Sequence, residues 1–312
     1  MEFTKNSTIY VSGHDGMVGK RLIQYLTENG YSKIITATFQ ELDLRNQKSV
    51  ETFFNKYQPE IVIHIAARVG GIYANIKSPA EFIYDNLMIQ TNVIHSAYKN
   101  KCQKLVFLGS SCIYPKDCIQ PMSEDFFMTG KLEPTNQSYA IAKIAGIQMC
   151  QSYNKQYNTN FISIMPSNLY GPGDHYNNRN SHVMAALISR FHNAIKEKEE
   201  KVIVWGTGNP RREFLFIDDL ISAIIFLLKN YNDSSIINVG PGYDISIKKL
   251  AEKISRILGY TGLIEFDKTK PDGMMKKLLD VSKINDLGWK TNIDLDEGIR
   301  RAYNEYRKIF KE

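Results

Sequence analysis

Four cysteines in 312 residues, Cys102, Cys112, Cys118 and Cys150, are too few for a disulfide scaffold, and none stands in CxxC spacing. A structural zinc site is therefore not expected, and reduced thiols fit a cytoplasmic protein. Long apolar runs are missing too. A stretch such as "LISAIIFLL" (220–228) falls well short of the roughly 20 residues a membrane span needs. The start, "MEFTKNSTIYVSG", lacks a basic, apolar, small-residue leader pattern. No basic patch interleaved with aromatics is present, which argues against nucleic acid as a partner. The formal charge of +6 suits an anionic ligand, although Lys101, Lys104, Lys196 and Lys198 read as solvated surface lysines. Repeats and low-complexity tracts are absent. What remains, with 43% hydrophobic and 23% charged residues, is an ordinary globular chain.

Its first half alternates β-branched runs with amphipathic stretches. Strands are expected at 8–13, 33–39, 60–67, 104–111 and 160–168, and helices at 17–28, 49–57, 82–98 and 139–157. Runs apolar on both faces, such as "IVIHIAA", are what a parallel sheet covered on both sides produces, so the fold class is α/β, Rossmann-like and doubly wound. After Tyr170 the texture shifts to a polar loop, "GPGDHYNNRNS" (171–181). A helix at 182–195 follows, capped by Asn180 and Ser181, with strands at 201–206, 235–240 and 263–266. This predicts a dinucleotide domain at 1–170 and a smaller α/β part at 171–312 that mainly binds substrate, with some segments returning to the first domain.

"VSGHDGMVGKRL" places Gly13, Gly16 and Gly19 between the first strand and a helix. Glycine there permits a tight turn and lets a pyrophosphate approach the helix N-terminus. "SYAIAK" puts Tyr139 and Lys143 four residues apart on one helical face, about thirty residues after Ser110 in "FLGSSCIYP". With the glycine turn upstream, this set resembles the extended short-chain dehydrogenase/reductases. There the tyrosine exchanges a proton with the substrate oxygen during hydride transfer, the lysine lowers the phenol's pKa, and the serine polarises the carbonyl. Asp218 and Asp219 in "FIDDLISA" read as caps of the following helix.

Further blocks narrow the resemblance: "GHDGMVG", "AARVGGIYAN", "FLGSSCIYPK", "LEPTNQSYAIAKIAG", "NLYGPGD", "NSHVMAALISRFH", "VWGTGNPRREF" and "LLDVSKINDLGW". Over nearly the whole chain they resemble the GDP-L-fucose synthase family, the GDP-4-keto-6-deoxymannose 3,5-epimerase/4-reductases. The resemblance implies catalytic roles for Ser110, Tyr139, Lys143, Cys112 and His182, the last two exchanging protons beside the ketone. Gly13, Gly16, Met17, Val18, Gly19, Asp43, Ala66, Ala67 and Lys143 are then expected at the cofactor. Asn168, Val183, Leu187, Arg190 and Trp205 are expected at the nucleotide, with Arg212 and Lys277 on the diphosphate. The implied cofactor is NADPH and the implied substrate a GDP-4-keto-6-deoxy sugar, bound by a homodimer. Asp15 and Phe39 stand where the family tends to carry arginine, so NADH stays open. "GMMKK" (273–277) replaces the usual Thr-Pro-Arg, so a heptose substrate with little or no epimerisation stays open as well. A dinucleotide-binding scaffold or redox sensor is the non-enzymatic alternative.

Overall fold

A computed structural model of the chain describes residues 3–176, 181–270 and 272–310. The first half gives β1 (Ile9–Ser12), α1 (Met17–Glu28), β2 (Ile34–Ile35), α2 (Gln47–Tyr57) and β3 (Ile61–His64). These are followed by α3 (Ile72–Lys77), α4 (Pro79–Lys99), β4 (Lys104–Leu108), α5 (Gln137–Tyr157) and β5 (Phe161–Pro166). Then come β6 (Asn168–Tyr170), α6 (Val183–Lys196), β7 (Lys201–Trp205), β8 (Arg211–Arg212), β9 (Phe214–Phe216), α7 (Ile217–Asn230) and β10 (Ile237–Val239). The chain ends with β11 (Ile245–Ser246), α8 (Ile247–Leu258), β12 (Leu263–Asp267), β13 (Lys276–Lys277), α9 (Ser282–Asp286) and α10 (Leu295–Ile309).

Among the described residues, six strands form one parallel sheet in the order β10-β5-β4-β3-β1-β2. β1, β3, β4 and β5 are buried along their whole length, as helices on both faces require. The chain leaves β1 toward β2 and then crosses to β3 on the other side. The carboxyl ends of β1 and β3 therefore flank a topological switch point, where doubly wound sheets open a binding crevice. β10 comes from the second half yet pairs with β5, so that half contributes a strand to the main sheet. The pairs β7–β12 and β6–β9 and the three strands β11-β8-β13 build the rest. No helix of the described residues is long and apolar enough to cross a membrane.

Several elements differ from expectation for local reasons. The strand expected at 33–39 stops at Ile35, and the Glu41 carboxylate turns the chain by accepting from Thr38 N–H (2.8 Å) and Oγ (2.9 Å). The strand expected at 104–111 ends at Leu108, and residues Ser111–Ile113 form a single 3-10 turn. α2 starts earlier than expected because the Asn46 side chain accepts from Ser49 N–H. His182, rather than Ser181, occupies the N-cap of α6 without a side-chain capping bond, and Asn180 lies outside the described residues. Lys104 is not a solvated lysine. It is 5% exposed, and its ammonium donates to Leu227, Leu228 and Tyr231 carbonyls and to Asn232 Oδ1, which caps the end of α7. Asp218 and Asp219 lie in the first turn of α7 but do not cap it. Asp218 pairs with Arg21, and Asp219 accepts from Asn292 and Ile293 N–H.

Candidate active site

At the switch point, Gly13 turns β1 into α1 with φ +76°, a left-handed conformation that favours glycine. A Cβ on it would lie 2.8 Å from the Ala66 backbone, so the turn closes directly on the end of β3. Gly19 is needed for packing, because a Cβ there would collide with the Gly13 carbonyl and the His14 backbone. Gly16 caps α1, with Met17 and Val18 in its first turn and their backbone N–H groups at the positive helix end. Ala66 N–H donates to Ser12 O, which fixes the Ala66–Ala67 rim. These features fit a dinucleotide pyrophosphate. Asp43 accepts from the Arg45 backbone N–H and guanidinium, and Arg45 also bonds Asp85 and lies over the exposed Phe39 ring. That arrangement is the turn-capping role for Asp43.

At the end of β4, Ser110 caps the 3-10 turn and its Oγ accepts from Cys112 N–H at 3.4 Å. The two side chains are thus brought together by a turn, and not by alternation along one strand face. α5 supplies Tyr139 and Lys143 one turn apart. The Lys143 ammonium is 3% exposed, donates to Leu108 O at 2.7 Å, and lies 4.8 Å from the Phe107 ring and 5.8 Å from the Tyr139 ring. Burial pulls Lys143 down to about 8, opposed by Cys112. Burial, reinforced by Cys112, pushes the Tyr139 phenol up, so it stands as a neutral proton donor. Burial also raises the Cys112 thiol, and the ammonium of Lys277, the Ser110 hydrogen bond and Lys143 work against that. An ammonium has three N–H groups, and Leu108 is the one hydrogen-bond acceptor of Lys143 among the described residues. The others suit ribose hydroxyls.

β8 and β13 run parallel in the register Arg211↔Lys276 and Arg212↔Lys277. Neighbouring strand residues face opposite sides. Arg211 and Lys276 both pair with Asp244, at 2.5 and 3.8 Å. Arg212 and Lys277 face the other way, where neither has a carboxylate within ion-pair distance among the described residues. Burial lowers both cations. Two adjacent half-buried cations without an anion suit a diphosphate. Trp205 is 57% exposed at the end of β7, with Arg190 on α6 and Lys270 each within 6 Å of its ring, so it is no core tryptophan. Arg190 also donates to Ile203 O. Asn168 donates to Glu213 O, Val183 is half-buried in the first turn of α6, and Leu187 is buried in the core. His182 is exposed and acts electrostatically on Asp174, and no hydrogen bond among the described residues joins it to Cys112.

A protein-family model, the NAD dependent epimerase/dehydratase family, matches residues 9–240. GDP-L-fucose synthase 1 of Arabidopsis thaliana is 49% identical over 304 residues, spanning 97% of this chain and 94% of that protein. GDP-L-fucose synthase of Escherichia coli K12 is 46% identical over 304 residues, 95% of each chain. The chain belongs to the GDP-L-fucose synthase family. Among solved structures, a GDP-mannoheptose C4 reductase from Campylobacter jejuni with NADP bound superposes with a TM-score of 0.90 at 39% identity, covering 98% of this chain and 99% of that one.

Two features of this family member were not legible as site residues. His64 is buried beneath the site; its Nδ1 pairs with Ser12 Oγ at 2.7 Å, and burial, aided by Lys143, drops it to about 3, so it stays neutral. Glu213, 1% exposed, accepts from Gly242 N–H (2.8 Å) and Leu279 N–H (2.9 Å) and ties the β8–β9 junction to the segments after β10 and β13. Its place next to Arg212 in "RREF" was the available signal.

Proposed function

We propose that the protein reduces the C4 ketone of a GDP-4-keto-6-deoxy sugar with NADPH after epimerising C3 and C5. The observation that carries this reading is the convergence of Ser110, Cys112, Tyr139 and Lys143 at the end of β4, beside the glycine turn. The Gly13–Gly19 turn, the Ala66–Ala67 rim and Lys143 would hold NADPH, which would supply hydride when bound. Ser110 and Tyr139 hydrogen-bond the ketone oxygen and make the flanking C–H groups acidic. Cys112 as thiolate takes a proton from one of those carbons, the C–H electron pair passes into the enolate, and His182 returns a proton from the opposite face. As hydride reaches C4, Tyr139 donates its phenolic proton to the oxygen. One polarising pair serves both reactions.

Arg212 and Lys277 hold the diphosphate, and Arg190 and Trp205 take the guanine, with Asn168, Val183 and Leu187 shaping that end. The same reading makes the protein a cytoplasmic homodimer. Four free cysteines suit a reducing compartment, and exposed Tyr84, Ile141 and Tyr157 on α4 and α5 supply apolar surface for pairing. A dinucleotide-binding part at 1–170 and a mainly substrate-binding part at 171–312 complete it.

A heptose reductase without epimerase action is the second reading, favoured by Met274 and Met275 in "GMMKK". Incubation with GDP-4-keto-6-deoxymannose or its heptose counterpart and each reduced nicotinamide, followed by loss of nicotinamide absorbance, tests both. Turnover of the hexose with NADPH is expected. Turnover of the heptose alone selects the second reading, and cofactor binding without turnover of either sugar overturns both.

A further inference from the structure

In a doubly wound sheet, the residue that tells a ribose 2′-hydroxyl from a 2′-phosphate stands about 20 residues beyond the glycine turn. It is an acid for the hydroxyl and an arginine for the phosphate. Here that place, after β2, is held by Phe39, which is neither and is 59% exposed. Glu41 nearby is turned onto Thr38 N–H and Oγ. A cation reaches the spot from just before α2 instead: the Arg45 guanidinium lies over the Phe39 ring, 5.3 Å from its centroid. Its Nε and Nη2 donate to Asp43 (3.0 and 2.8 Å), and its Nη1 donates to Asp85 on α4 (3.2 Å). Asp85 is buried and also accepts from Arg68, which follows the Ala66–Ala67 rim at the end of β3. In the sheet, β1 lies between β3 and β2, and its carboxyl end opens the glycine turn. Arg45 is thus anchored on both sides of that end, to the loop after β2 and, through Asp85, to the chain leaving β3.

Resting on the reading of the cofactor as NADPH, we propose that Arg45 is a specificity-determining residue that receives the 2′-phosphate, with the Phe39 ring as its platform. In the glycine turn (13–19) and in the stretch from Thr36 to Arg45, Arg45 is the only lysine or arginine, while Asp15, Glu41 and Asp43 are acids. A guanidinium has five N–H groups. Three of them are directed at Asp43 and Asp85, which leaves one on each terminal nitrogen. Two N–H groups on adjacent nitrogens match two oxygens of a phosphate. The side chain is partly exposed, at 36%, so a ligand can reach it. The carboxylates already hold it in one orientation, and little conformational entropy remains to be lost on binding.

Isothermal titration calorimetry with 2′,5′-ADP and with 5′-AMP, which differ only in the 2′-phosphate, tests this on the full chain without sugar or turnover. Wild-type protein is expected to bind 2′,5′-ADP about tenfold or more tightly, the worth of a hydrogen bond to a charged group. Arg45→Met should bring that ratio near one, and Arg45→Lys, which keeps the charge without the fork, should fall between. The double variant Arg45→Met/Asp43→Asn keeps the net charge and separates contact from field. A ratio near one is expected there too, and a wild-type ratio overturns the proposal. If Arg45→Met does not fold, Arg45→Lys decides, and an unchanged ratio overturns the proposal. A wild-type ratio near one defeats both the NADPH reading and this inference, whereas a wild-type preference that survives Arg45→Met defeats this inference alone. Failure of turnover with every GDP-keto-sugar, while the ratio still depends on Arg45, defeats the proposed function and leaves this inference standing.

Discussion

β4 begins and ends beside a buried lysine, and the two differ in one respect. Lys104, at its start, and Lys143, at its end, are both nearly inaccessible, and burial lowers both ammonium groups to about 8. Lys104 meets four acceptors between 2.6 and 3.1 Å, more than its three N–H groups require. Three of them are carbonyls at the end of α7, of which Leu227 O also accepts the Tyr231 N–H. Lys143 has a single acceptor, Leu108 O. A saturated buried ammonium is a structural part. An unsaturated one keeps donors for something that arrives later. The same residue type under the same desolvation thus differs in its unused hydrogen-bond capacity.

The largest effect that sharpens this contrast is expected from Lys143→Met, which lowers kcat/KM for ketone reduction by about 10²-fold or more. Its melting temperature should stay close to wild type, since one hydrogen bond is lost at about 1 kcal/mol. Steady-state kinetics and calorimetry read both. Wild-type kcat/KM should also fall as pH rises through about 8, where Lys143 gives up its proton. Lys104→Met reverses the pattern: turnover per folded molecule is kept, and unfolding becomes about 2–4 kcal/mol easier, because carbonyls at the end of α7 lose their donor. If Lys104→Met loses activity without losing stability, the comparison breaks.

A smaller effect concerns Glu213, pushed up to about 7 by burial against the opposing Leu279 and Gly242 N–H bonds. A carboxyl whose folded pKa is raised contributes stability that is fully present below its unfolded value, near 4.5, and lost as pH rises through about 7. Glu213→Gln should flatten that part of the stability profile between those two values, as measured by denaturant melts at a series of pH values.

Much of the fold was legible because it follows from periodicity. Doubly apolar runs gave β1, β3, β4 and β5, and the glycine turn was readable because Gly13 and Gly19 answer to backbone contacts that leave no room for a side chain. Tyr139 and Lys143 were legible by helical spacing. Strand ends were not, because side-chain bonds such as Glu41 to Thr38 decide them. The partnership of Ser110 and Cys112 was expected from strand alternation and arises from a turn instead. Lys104 was misread because a lysine's role depends on which carbonyls the fold brings to it from more than a hundred residues away, and no local pattern records that.

The central claim is that one polarised ketone undergoes both proton exchange and hydride transfer in this pocket. Turnover of GDP-4-keto-6-deoxymannose in deuterium oxide, with the product examined by NMR, tests it most directly. Deuterium at C3 and C5 in the wild-type product is expected, whereas Cys112→Ser should incorporate none there and still reduce an already epimerised ketone. A wild-type product reduced at C4 but carrying only protium at C3 and C5 contradicts the account.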